Sequence, residues 1–166
     1  MNTVVDMNKP DILKLIVARL ETDLDIAERA ARTAYEAATH EENIAENKYD
    51  TLGLEASYLA AGQARRVEEI RQSLALYRKW SLKAFDDSRG IQTGDLVFLE
   101  SVAGTTQCFF LGPDAAGLKV ECDETPITVI TTRAPLGQSL AGKLEGDVVD
   151  IMVNGTRQSF EVAHVL

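Results

Sequence analysis

Residues 11–38 read DILKLIVARLETDLDIAERAARTAYEAA. Within this stretch Leu13, Ile16, Leu20, Leu24, Ala27, Ala31, Ala34 and Ala38 follow gaps of 3, 4, 4, 3, 4, 3 and 4. Such alternation returns an apolar side chain to one stripe of a helix, and four successive repeats argue for a coiled-coil seam. Pro10 fits a first helical turn, and Asp11 falls where the positive end of the helix dipole favours an acid. Val67, Ile70, Leu74 and Tyr77 repeat the stripe with gaps of 3, 4 and 3. Between the two, Thr39 to Gly53 loses the apolar period. Two stripes separated by a polar break fold back most simply as an antiparallel pair of helices. Arms of about 33 residues would each run roughly 50 Å. The seam is bulky near Leu13–Leu24 and Leu74–Tyr77 and alanine-rich toward the break, so the expected hairpin is stout at its base and slender at its tip. A two-helix hairpin buries little by itself, and its base needs a second domain or a partner.

The rest of the chain has another character. Residues 1–89 hold 13 Lys and Arg against 16 Asp and Glu, and residues 90–166 hold 4 against 10, which together give the net charge of −9. The second part is rich in Val, Thr, Gly and Phe, a shift from helix to strand composition. The polar stretch Asp86-Asp87-Ser88-Arg89-Gly90 marks the boundary, between a hairpin over 1–86 and a small domain over 91–166. Leu96–Glu100, Thr106–Leu111, Leu118–Cys122 and Thr128–Thr131 read as short strands between Gly or Pro turns. Asp147–Val153 and Arg157–Val165 flank Asn154-Gly155, a strong hairpin signal. Pro135 to Lys143 reads as one short helix with Pro135 in its first turn. The fold class expected is therefore an antiparallel helical hairpin followed by a small α+β domain, an antiparallel sheet wrapped on one short helix.

Composition also narrows function. At 166 residues and 45% hydrophobic, the chain can bury a core as one domain or two small ones. No apolar run of about 18 residues is present, so no membrane span is expected. The start lacks a basic region followed by an apolar stretch, so no secretory signal is expected and the reading is cytoplasmic. Excess acid argues against direct nucleic-acid binding, which draws its affinity from Lys and Arg. It suits a basic protein partner or a cation. The polar break concentrates acid: Glu41, Glu42, Glu46, Asp50 and Glu55 stand against Lys48 alone. A slender acidic tip on a long stalk can enter a narrow channel and set carboxylates beside a divalent cation, although most charge runs are simply solvated turns.

The run Ala134-Pro135-Leu136-Gly137-Gln138-Ser139-Leu140-Ala141-Gly142-Lys143-Leu144-Glu145-Gly146-Asp147-Val148-Val149 resembles the bacterial transcript cleavage factors GreA and GreB. Their pattern is Ser-Pro-Leu-Gly-x-Ala-Leu-x-Gly-x-x-x-Gly-Asp, with Ala134 here in place of Ser. Gly94-Asp95, the Asn-Gly turn, Glu46-Asn47 and Tyr58-Leu59-Ala60-Ala61 fit the same family. The resemblance implies an FKBP-like small domain that docks on RNA polymerase, with contacts around Pro135, Leu136 and Gly137. It implies a hairpin that enters the polymerase secondary channel, and a monomer that meets nucleic acid only through the polymerase complex. Tip acids would help hold a second Mg²⁺ shared with the polymerase, with no cofactor bound by the factor alone. The polymerase, rather than the factor, would then hydrolyse backtracked RNA by two-metal chemistry.

The tip departs from the family's Asp-x-x-Glu-Asn. If Glu46-Asn47 is the Glu-Asn pair, Asn43 stands at the Asp position; if Tyr58 sets the register, Thr51 and Leu54 stand at the two acid positions. The midpoint of arms running from Asp11 to Lys83 falls at residue 47, which favours Glu46, with Glu42 or Asp50 one turn away as the second acid. Cleavage stimulation and non-cleaving regulation of the channel both remain open. A proline isomerase would need an aromatic-lined pocket, and the second part has only Phe98, Phe109, Phe110 and Phe160. The related regulators of nucleoside diphosphate kinase have a shorter hairpin. His40 and His164 are isolated and read as surface and sheet residues, and Cys108 and Cys122 as sheet residues without metal spacing. Arg65-Arg66 reads as a solvated face with Glu68-Glu69, and Tyr77 and Trp80 as packing at the hairpin base.

Overall fold

The computed structural model describes residues 7–40 and 52–166. Its elements are α1 (Lys9–Thr39), α2 (Leu52–Lys79), β1 (Leu96–Ser101), β2 (Thr106–Leu111), β3 (Lys119–Cys122), β4 (Thr125–Ile130), α3 (Pro135–Leu140), β5 (Val148–Val153) and β6 (Thr156–Val165). Two compact units make up the chain: Met1–Val17 with Leu76–Leu166, and Ala18–Ala75. Both divisions fall inside the long helices. No helix among the described residues is long and apolar enough to cross a membrane.

The unit Ala18–Ala75 is a helix pair. Arg71 bonds Glu28 at 2.9 Å across it, and Ala31 and Arg32 share a groove with Ala64 and Val67. Rising numbers on one helix meet falling numbers on the other, so the helices run antiparallel, as the two stripes predict. Leu20, Ala27 and Ala34 are buried from α1, and Val67, Ile70 and Leu74 from α2. The buried residues of α1 shrink from leucine to alanine toward its C-terminus, as the seam composition leads one to expect.

In the other unit α1 begins with a cap. The Asp11 N–H donates to Asn8 Oδ1 at 2.9 Å, and Asn8 Nδ2 donates to Asp11 Oδ2 at 2.8 Å. This satisfies an orphan donor at the helix start. Ile12 and Ile16 are fully buried, whereas Leu13 is only half-buried. A seam facing one partner helix would bury Leu13. Here the helix start also lies beside the sheet, close enough for Asp11 to act electrostatically on the Cys122 thiol of β3.

The sheet order is β3-β4-β2-β1-β6-β5. It is not antiparallel throughout, contrary to the sequence reading: β2 and β4 pair in parallel, Cys108 with Ile127 through Leu111 with Ile130. After β2 the chain passes to the sheet edge as β3. It reverses at Asp123 and Glu124, both at positive φ, and returns as β4 between β3 and β2. The pair of left-handed residues is what a tight two-residue hairpin requires. β4 begins at Thr125 rather than Thr128, and Pro126 is tolerated because the ladder to β2 starts only at Ile127. The Asn154-Gly155 turn is as expected, with both residues at positive φ between paired Val153 and Thr156.

One face of the sheet presents Val97, Leu99, Leu111, Val149, Phe160, Val162 and Val165, packed with Ile91 and Leu140 of α3. A register shift between Phe98 and Leu99 pairs them with His164 and Val162, leaving Ala163 as the extra residue and turning both Val162 and Val165 into this core. The opposite face buries Leu96, Phe98, Cys108, Phe110, Ile127 and Val129. Tyr77, at the end of α2, reaches that side at Gly112, where an added Cβ would lie 2.1 Å from the Tyr77 hydroxyl.

Candidate functional site

The tip carboxylates Glu42, Glu46 and Asp50 lie outside the described residues, as do Glu41, Asn43, Asn47, Lys48 and Thr51. Their flanks are described. α1 ends at Thr39, whose hydroxyl donates to the Tyr35 carbonyl at 2.9 Å. α2 carries Glu55 in its first turn, where the helix dipole favours an acid. Tyr35, Leu54, Tyr58 and Leu59 are all more than half exposed, so both flanking helices carry large exposed apolar side chains. Further along the pair, Arg29 bonds Asp25 at 3.1 Å and Arg66 lies 3.7 Å from Glu69. Arg66 and Glu69 are thus the solvated i,i+3 pair read from the sequence, of a kind that contributes at most about 1 kcal/mol.

The Ala134–Val149 run builds α3, a turn and the start of β5. Ala134 takes the extended N-cap conformation, φ −87° and ψ 153°, without a side-chain cap, and Pro135 opens the helix. The helix ends at Leu140 rather than Lys143, because Ala141 leaves helical dihedrals. Gly137 is buried, and a Cβ there would lie 1.9 Å from the Thr131 carbonyl, so the position admits only glycine. Leu136 packs on the core. Of the three residues expected to touch a polymerase, Pro135 alone is exposed; Leu144 and Val148 add exposed apolar surface from the same run.

Other sequence candidates occupy structural positions. His164 Nδ1 lies 2.8 Å from Glu145 Oε1, and its ring sits 6.0 Å from that of Phe98. Glu145 also accepts the Val165 N–H at 3.0 Å, pinning the turn before β5 to the last strand. Burial pushes the Cys108 thiol up to about 12, and the Cys122 thiol is raised by burial and by neighbouring Asp123 and Asp11. Neither is a ready nucleophile. Phe98, Phe110 and Phe160 are buried and Phe109 packs on the core, so the phenylalanines are taken up by packing. No group of three or more potential metal ligands occurs among the described residues.

The base of the helices holds a feature that sequence reading passed over. Lys9 is buried, and its ammonium donates to Asp95 Oδ1 at 3.0 Å and to the Lys83 carbonyl. Asp95 Oδ2 accepts the Gln92 N–H at 2.8 Å. The available signal was a charged residue placed directly before the apolar residues Leu96–Leu99 that open β1. Tyr77, expected to pack at the base, is buried and donates to the Asp114 carbonyl at 2.7 Å; burial, then the Asp114 charge, raises its pKa. Trp80 packs against Gly94, and its buried indole N–H has no acceptor among the described residues.

No protein-family model and no curated protein sequence matches the chain. Among solved structures it is similar to the GreA factor homolog Gfh1 of Thermus thermophilus, with 21% identity over 90% of this chain and 94% of that one, and a TM-score of 0.36. The Gfh1 structure from Thermus aquaticus gives 19%, 89%, 92% and 0.39. A GreA/GreB prokaryotic transcription elongation factor from Nitrosomonas europaea gives 16% identity over 61% of this chain and 90% of that one, with a TM-score of 0.37. All these TM-scores lie below 0.5, and the architecture above rests on the chain's own residues.

Proposed function

We propose that the chain is an RNA polymerase factor of the GreA/GreB kind, acting through the polymerase secondary channel to rescue backtracked complexes. The observation that supports this most is the run Ala134–Val149 preceded by two long antiparallel helices. The glycine that its motif demands at Gly137 sits where no Cβ fits. The small domain would dock on the polymerase and the hairpin would enter the channel tip first. Hydrolysis belongs to the polymerase active site, and the factor adds only carboxylates. Glu46, with Glu42 or Asp50, offers hard oxygen donors of the type Mg²⁺ takes. Nucleic acid is met only within that complex, and the factor acts as a monomer in the cytoplasm.

One observation favours a second reading, a channel-binding regulator without cleavage. Asn43, or Thr51 and Leu54 in the other register, occupies the place of an acid in the family's tip. One experiment separates the two. Backtracked elongation complexes are incubated with the chain, and short RNA release is followed beside co-purification with core polymerase at low salt. Release that is lost in Glu46→Ala supports the cleavage reading. Binding without release leaves the regulator, and absence of binding removes both.

A further inference from the structure

We propose that the cavity formed by the segment after α2 binds a nucleoside polyphosphate. It measures about 860 Å³ and lies within one unit, walled by most of the residues between Lys79 and Asp95, by Thr132 and by Ala141–Gly142. That volume falls in the range of small-molecule sites, about 300–1,000 Å³, and far exceeds what a lone inorganic anion needs. Its polar lining consists mostly of donors. Lys79, Lys83 and Arg89 bring three cations, and Ser81, Thr93 and Thr132 bring hydroxyls.

The two carboxylates of the lining do not cancel this. Asp95 is committed to Lys9 and to the Gln92 N–H. Asp86 stays ionised, since the Ser88 hydroxyl and N–H hold its carboxyl below the usual range, and it is balanced by Arg89 at 3.8 Å, which leaves Lys79 and Lys83 as the unbalanced cations. The result is a donor-rich pocket whose lining carries a net positive charge. Such a lining selects an acceptor-rich anion, and phosphate groups meet lysine and arginine in this way. Trp80 supplies an aromatic wall and a buried indole N–H that has no acceptor among the described residues. An aromatic wall beside Lys79, Lys83 and the Arg89–Asp86 pair matches a ligand that joins a flat base to a chain of phosphates.

The site can be tested without a polymerase, so its outcome is separate from that of the proposed function. Trp80 is the only tryptophan, so its emission reports on this cavity directly. The full chain is titrated at low salt, in EDTA, with ATP, with tripolyphosphate and with adenosine, by fluorescence and by calorimetry. ATP is expected to shift the emission saturably and to bind more tightly than tripolyphosphate or adenosine. Lys83→Ala combined with Arg89→Ala is expected to weaken ATP at least tenfold with an unchanged unfolding midpoint. Trp80→Phe should abolish the optical signal while calorimetry still detects weaker binding. Absence of saturable ATP binding, or equal affinity in the double variant, overturns the site. Tripolyphosphate binding as tightly as ATP overturns the nucleoside part of the assignment.

Discussion

Lys9→Met removes one partner of the buried pair at the helix base and keeps the aliphatic stem. Both side chains of the pair are 8% exposed and 3.0 Å apart, so water cannot take over from the lost ammonium. Asp95 would keep its bond from the Gln92 N–H, and the Lys83 carbonyl would lose its donor. Breaking a buried pair from one side costs about 3–5 kcal/mol because a charge stays buried without compensation. With an m-value of about 2 kcal/mol/M, the urea midpoint of this unit should fall by roughly 1.5–2.5 M. Urea titrations followed through Trp80 read that unit specifically. Adding Asp95→Asn removes the stranded charge and keeps an acceptor for Gln92, so the double variant should be more stable than Lys9→Met alone. A loss below about 1 kcal/mol for Lys9→Met, the range of exposed pairs, would refute the reasoning. So would a double variant less stable than the single one.

Other outcomes follow from single positions. Ala134→Ser supplies the missing cap of α3 and should stabilise the unit by about 0.5–1 kcal/mol, read from the thermal midpoint. Gly112→Ala drives a methyl into the Tyr77 hydroxyl and should cost about 1–3 kcal/mol, with part recovered when Tyr77→Phe is added. A thiol reagent at pH 8 should modify Cys122 in the folded chain, more slowly than an unhindered thiol because its pKa is raised, and Cys108 only after denaturation, because burial holds the Cys108 thiol near 12. The Asp150 carboxyl is held below its usual value by Ser159 and then by Arg157. Its contribution is therefore fully present above the unfolded pKa of 3.8 and is lost as pH falls through the lower folded value. A carboxyl NMR titration should show Asp150 ionised below pH 3.8, and Ser159→Ala should move it upward.

What the chain determined locally is the set of features with a short-range cause. Gaps of 3 and 4 residues put Val67, Ile70, Leu74 and Tyr77 on one buried stripe, since helix geometry fixes which side chains share a face. Asn154-Gly155 made its turn because both residues tolerate positive φ. Pro135 opened a helix because it needs no N–H there. The features that escaped reading depend on residues far apart in sequence. β4 lies parallel to β2 because β3 takes the edge and leaves a gap, which no local pattern encodes. Ile12 is buried ahead of Leu13 because the base of α1 lies beside the sheet as well as facing its partner helix. Lys9 is polar by composition and buried by position, since its partners Asp95 and Lys83 come more than 70 residues later. The tip acids were legible as residues, whereas the donor-rich cavity around Trp80 exists only once residues 79–95 meet Thr132 and Gly142. Periodicity and turn chemistry act within a few residues; burial, charge pairing and cavities are made by distant segments closing on one another.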